Sequence, residues 1–146
     1  MASPPVFCDT LNDRVGLLKL YPGMQSDVVD YMLAYHDGLI IESFGVGGLP
    51  EYSDFYDSVR RGAEAGKVIV MTTQVPNEGS DLSVYVVGGH LKSTVKLLEA
   101  HDMTTEAALT KLMWIMGQAR DFDEVRTLFY TPVAKDILYS ESYETK

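Results

Sequence analysis

The sequence predicts an α/β fold: a three-layer α/β/α domain around a small, mostly parallel, Rossmann-like sheet. Three observations carry this. The runs Val15 to Tyr21, Leu39 to Phe44 and Val68 to Thr73 are short and nearly continuously apolar, as strands buried on both faces of a parallel sheet are. Segments with helical spacing of apolar residues alternate with these runs. The 146 residues suit one domain, which can bury roughly two-thirds of its unfolded surface without a disulfide or metal.

Residues 1–14, with Pro4 and Pro5 and no sustained period, read as a linker or strap. The domain proper is expected over 15–139 and a polar tail over 140–146. VGLLKLY, the first strand, is stopped by Pro22-Gly23; Ser26 or Asp27 then caps a helix with Val28, Val29, Met32 and Leu33 on one face. LIIESF is the second strand and leads into Gly45-Val46-Gly47-Gly48-Leu49-Pro50. A helix over Tyr52 to Ala65 carries Phe55, Val59 and Ala63 inward and ends at Gly66. VIVMTT is the third strand and opens into the loop Gln74 to Ser83. A short helix is expected over Tyr85 to Ser93, with strand as the alternative for VYVV, and a short edge strand over Val95 to Leu98. Asp102 precedes the clearest helix, Met103 to Gly117, with Ala108, Leu109, Leu112, Met113, Ile115 and Met116 in a wide apolar stripe. A last helix spans Phe122 to Tyr130.

The net charge of −9, with 12 basic residues scattered among 21 acidic ones, argues against nucleic acid, whose binders cluster Lys and Arg to displace counterions. Cys8 is the single cysteine, which excludes an intrachain disulfide and fits a reducing compartment. No signal peptide is visible, and no apolar run approaches the roughly 20 residues that span a bilayer. A cytoplasmic protein without membrane contact, metal or cofactor is the expectation.

In open parallel sheets, ligands bind outside the carboxyl ends of the strands. The glycines of Gly45 to Pro50 could bring N–H groups to a ligand anion there, or could merely allow a tight turn; GVGG lacks the GxGxxG pattern and no Walker lysine follows. His36, His90 and His101 lack metal-ligand spacing and read as surface or helix-end residues. Ser43, Thr72 and Thr73 stand at strand ends without a His or Lys nearby in sequence, and Glu42 reads as solvated or ion-paired. No catalytic constellation is visible.

Five segments in this order, LLKLYPGM (17–24), IIESFGVGGLP (40–50), VMTTQ (70–74), SDLSVYVVG (80–88) and DMTTEAALTKLMW (102–114), resemble the C-terminal domain of bacterial cytoplasmic-type L-asparaginases. The resemblance covers Arg14 to Leu138. It implies a two-domain amidohydrolase that converts asparagine to aspartate and ammonia. The catalytic threonines of that family lie in TGGT- and DGTD-type motifs of an N-terminal domain, together with a lysine and an aspartate; none of those motifs occurs here. The resemblance implies scaffold, dimerisation and site-completing roles, an N-terminal domain and a second copy as partners, and asparagine or aspartate as ligand. Gly45, Val46 and Gly47 match a GVGN-type loop near a neighbouring subunit's active site, with Gly48 replacing asparagine. An effector site of allosteric members is matched by Thr73 and Gln74, while Glu42 replaces its arginine and Val75 its cysteine. Self-association is expected first through the Tyr52 to Val59 face. Two alternatives remain: a free-standing sensor of a small acid or amide, and the related component of a tRNA-dependent amidotransferase.

Overall fold

The computed structural model describes residues 4–45, 47–52, 54–75, 79–81 and 95–138. Strands β1 (Val15–Lys19), β2 (Gly38–Ser43), β3 (Val68–Thr73) and β4 (Leu98–Glu99) form a parallel sheet in the order β1-β2-β3-β4. Helices α1 (Asp27–Tyr35) and α2 (Phe55–Glu64) connect the first three strands, and α3 (Thr105–Met116) and α4 (Phe122–Tyr130) follow β4. The three-layer α/β expectation is met.

Alternation along the strands explains why both faces are apolar. Leu39 and Ile41 of β2, with Ile69 and Met71 of β3, pack in one core with Val29 and Leu33 of α1 and Phe55 and Val59 of α2. Ile40, Val68 and Val70, one residue out of phase, pack in a second core with Leu112 and Ile115 of α3 and Phe129 of α4. Successive right-handed crossovers between adjacent strands place α1 and α2 on the same face. The other face is left for α3, which lies across β1 and β2, and for α4.

Several boundaries differ from expectation. The helix expected from Tyr52 begins at Phe55, and Tyr52 sits in the preceding turn, where its hydroxyl accepts the Gly23 N–H. Phe55 and Val59 are fully buried, so the Tyr52 to Val59 face is not an open apolar surface. Helix α3 begins two residues after Met103 because Thr104 is its cap: Thr104 Oγ1 accepts the Ala107 N–H at 3.2 Å. Asp102 instead accepts the Leu138 N–H, at 3.0 Å to one oxygen and 3.2 Å to the other. The expected edge strand is Leu98–Glu99, opposite Val70 and Met71. The helix expected over 85–93 lies outside the described residues.

The segment before β1 runs against the end of α3. Thr10 Oγ1 donates to Gly117 O (2.8 Å), Gln118 Nε2 to Thr10 O (2.6 Å) and Asn12 N–H to Met113 O (3.0 Å). This close approach requires glycine at 117: a Cβ there would lie 2.5 Å from Thr10 O and 3.0 Å from Leu11 Cα. Both are backbone atoms with no rotamer to change. Gly117→Ala is therefore expected to cost about 1–3 kcal/mol, as overpacking does. Amide exchange should accelerate selectively at Asn12, whose N–H bond to α3 is broken; unchanged exchange there would show that the strap yields without detaching.

Candidate functional site

Two features occupy the carboxyl edge of the sheet. The first is the glycine turn after β2. Phe44 N–H donates to Gly48 O (2.9 Å), and Phe44 O accepts both the Gly48 N–H (2.7 Å) and the Gly47 N–H (3.1 Å). Gly45 has φ +50°, a left-handed conformation that glycine adopts without Cβ strain. Thr73 Oγ1 donates to Gly45 O and accepts the Val75 N–H at 2.9 Å, latching the turn to the end of β3. The N–H groups of Gly47 and Gly48 are thus spent inside the turn and do not form an anion cradle. Val46 lies outside the described residues.

The second feature is a cavity of ≈ 280 Å³ bounded by the ends of β2 and β3 and by the first turn of α3. Glu42 near the end of β2, and Thr73, Gln74 and Val75 at and just after the end of β3, all line it. Gln74 Nε2 donates to Leu20 O (2.6 Å) and Glu42 O (3.0 Å), bridging the ends of β1 and β2. The Glu42 carboxylate lies 3.8 Å from Lys19 Nζ and accepts the Thr105 hydroxyl at 2.7 Å; its side chain is 15% exposed. Of the two readings expected for Glu42, solvated or ion-paired, the structure shows the ion pair.

The other candidates do not converge on a nucleophile. Ser43 Oγ is buried and donates to Thr72 O at 2.6 Å, and Thr72 is itself 1% exposed within β3. His36 sits at the end of α1, its Nδ1 2.8 Å from Met32 O. His90 lies outside the described residues. His101, expected to be a surface or helix-end residue, is buried in the turn before α3, has φ +49°, lines the cavity and holds Nδ1 3.3 Å from Ser80 O. Thr104 and Thr105 line the cavity without having stood out in the sequence, although two threonines before an apolar helical stripe are a legible helix start.

A larger hollow of ≈ 560 Å³ lies at the opposite, amino end of the sheet, lined by Val68, Met116, Phe122 and Val125 among others. Of its basic groups, Lys96 places Nζ 5.7 Å from the centre of the Phe122 ring, and Lys67 and Arg120 are already engaged. Lys67 Nζ donates to His36 O at 2.8 Å, and the Arg120 guanidinium is held by Glu124, whose carboxyl it keeps below the usual carboxylate range. The carboxyl-edge cavity has the denser set of polar groups and is the better candidate.

Residues 14–129 match the family described as the glutaminase/asparaginase C-terminal domain. The chain is 33% identical over 138 residues to a component of the glutamyl-tRNA(Gln) amidotransferase of Pyrococcus horikoshii, covering 94% of this chain and 31% of that protein. It is 35% identical over 133 residues to an L-asparaginase of Thermococcus kodakarensis, covering 91% of this chain and 40% of the relative. The solved thermostable L-asparaginase from Thermococcus kodakarensis superimposes with a TM-score of 0.82 at 36% identity, over 90% of this chain and 40% of that one. The chain thus spans about a third of the first relative's length and two-fifths of the second's.

Proposed function

Because the chain belongs to the glutaminase/asparaginase C-terminal domain family, we propose that it is the scaffold, dimerisation and active-site-completing domain of an L-asparaginase. In this reading an N-terminal domain carries the hydrolysis of asparagine to aspartate and ammonia. The observation that carries it is the fit to an L-asparaginase over 90% of this chain but only 40% of the enzyme. The burial of Ser43 and Thr72 supports it, since neither hydroxyl is open to a substrate carbonyl.

The turn Gly45, Val46, Gly47, Gly48 is the proposed substrate-side loop, with asparagine or aspartate as its ligand, and Glu42, Thr73, Gln74 and Val75 are the proposed remnant of an effector pocket that no longer takes a carboxylate ligand. Apolar surface at the β1 edge, Leu17 and Tyr21, and the paired rings of Tyr31 and Tyr35 on α1 support a homo-oligomer. The lone cysteine supports placement in the cytoplasm. A second reading, a domain of an amidotransferase acting on charged tRNA, is favoured by the Pyrococcus horikoshii relative. The net charge of −9 counts against direct RNA contact by this domain in that case, a role open to another domain.

The test is a domain exchange. This chain replaces the corresponding domain of the Thermococcus kodakarensis L-asparaginase, and ammonia release from asparagine is measured. The exchanged enzyme is expected within about tenfold of the parent kcat/KM, about 1.4 kcal/mol of transition-state stabilisation. This chain alone should be inactive. An exchanged enzyme that unfolds cooperatively yet releases no ammonia overturns the site-completing role.

A further inference from the structure

We propose that the anion-binding corner of the carboxyl-edge cavity, beside Thr105 and Lys19, is occupied from within: the Glu42 carboxylate is a tethered stand-in for a ligand anion, so the cavity turns away free carboxylates. This stands on the geometry alone and does not depend on which reaction the parent protein catalyses.

The strand places the charge. Glu42 is two residues beyond Ile40 on β2 and so faces the same layer, toward α3, just past the end of the apolar core. There it meets three features that suit an anion. The Thr105 hydroxyl donates to Oε1 at 2.7 Å. Thr105 is the first residue of α3, where the unpaired N–H groups and the helix dipole favour negative charge. Lys19, opposite Glu42 in the β1–β2 register, brings Nζ to 3.8 Å of Oε2. A carboxylate only 15% exposed needs such compensation for its lost hydration.

A hydroxyl, a helix start and an ammonium group converging on one point would bind a free carboxylate if that point were vacant. Glu42 fills it, and the carboxylates of Asp102 and Glu106 on the same wall repel anions. A carboxylate-bearing ligand would have to displace a side chain tethered at high local concentration.

Glu42→Ala removes the tethered anion and leaves its partners. The full chain of this variant is melted in sodium acetate and in sodium chloride at equal ionic strength. Acetate bound with a Kd of about 10 mM would raise the Tm by roughly 3–5 °C at about 0.1 M. The native chain should show no acetate-specific shift, and adding Thr105→Val to Glu42→Ala should abolish the response. Equal melting of Glu42→Ala in both salts overturns the proposal, as does an acetate response of the native chain equal to the variant's. If Glu42→Ala does not fold in chloride, refolding in acetate decides: recovery of cooperative unfolding supports the tethered anion, and no recovery overturns it.

Discussion

Asp136→Ala is expected to destabilise the domain by about 3–5 kcal/mol, the cost of leaving one charge of a buried ion pair without its partner. Asp136 Oδ2 lies 2.8 Å from Lys111 Nζ, and the two side chains are 16% and 5% exposed. Lys111 Nζ also donates to Thr131 O at 2.8 Å and lies 5.9 Å from the centre of the Phe129 ring. The ammonium group belongs to α3, while Thr131 and Asp136 belong to the segment after α4, so the pair pins that segment onto the second core. Without Asp136, a carbonyl and a ring face remain to compensate a nearly dry charge. Lys111→Met combined with Asp136→Asn removes both charges and should recover most of the loss, because the destabilisation comes from the orphaned ion. Urea unfolding of the single and double variants checks this. A single variant within about 1 kcal/mol of the native chain would show that water reaches the pair.

The same pair gives a pH dependence. Burial pushes the Asp136 carboxyl up, but the Lys111 ammonium and the Val133 N–H, at 2.7 Å, outweigh it and hold the group below its usual range. A carboxyl whose folded pKa lies below its unfolded value contributes stability that is complete above the unfolded value, about pH 4. That contribution is lost as the pH falls through the folded value. Asp136→Asn should therefore flatten this acid limb of the stability curve.

Phe55→Ala is expected to cost about 3–5 kcal/mol, while Tyr52→Ala, three residues earlier, stays within about 1 kcal/mol. Phe55 is the first residue of α2 and is fully buried beside Leu49, Val59 and Met71. Tyr52 is 44% exposed and contributes one hydroxyl to the Gly23 N–H. If the segment from Tyr52 to Val59 were a surface for another subunit, truncating Phe55 would weaken association and leave the stability of the single chain unchanged. Denaturant unfolding at low protein concentration separates these outcomes. A concentration-independent loss of several kcal/mol places Phe55 in the core.

Much of the fold is local and could be read directly. A strand buried on two faces must be continuously apolar, so VIVMTT and LIIESF announce themselves. The expected turn at Pro22-Gly23 follows β1, and Gly23 adopts φ +94°, a conformation that costs glycine little. The five motif segments point to the family because their residues stand in order along one chain. Helix starts are less legible, because Asp102 and Thr104 are both good caps and only the backbone path chooses between them.

By itself the sequence determined the layers, the three long strands, the parallel sheet and the family, since each depends on periodicity, breakers or motif order within a few residues. The tertiary structure alone supplied the side-chain partners within the candidate site. The Thr105–Glu42 hydrogen bond joins residues 63 positions apart, and the buried Lys111 finds Asp136 beyond the next helix. Lys111 occupies a position in α3 that its charge marks as solvent-facing, yet α3 packs across β1 and β2 with α4 and the segment after it folded over that position, which buries it. Such pairings follow from the register of the sheet and the lie of one helix over it. Side chains distant in sequence acquire their partners only when those two are set, and no local pattern encodes both.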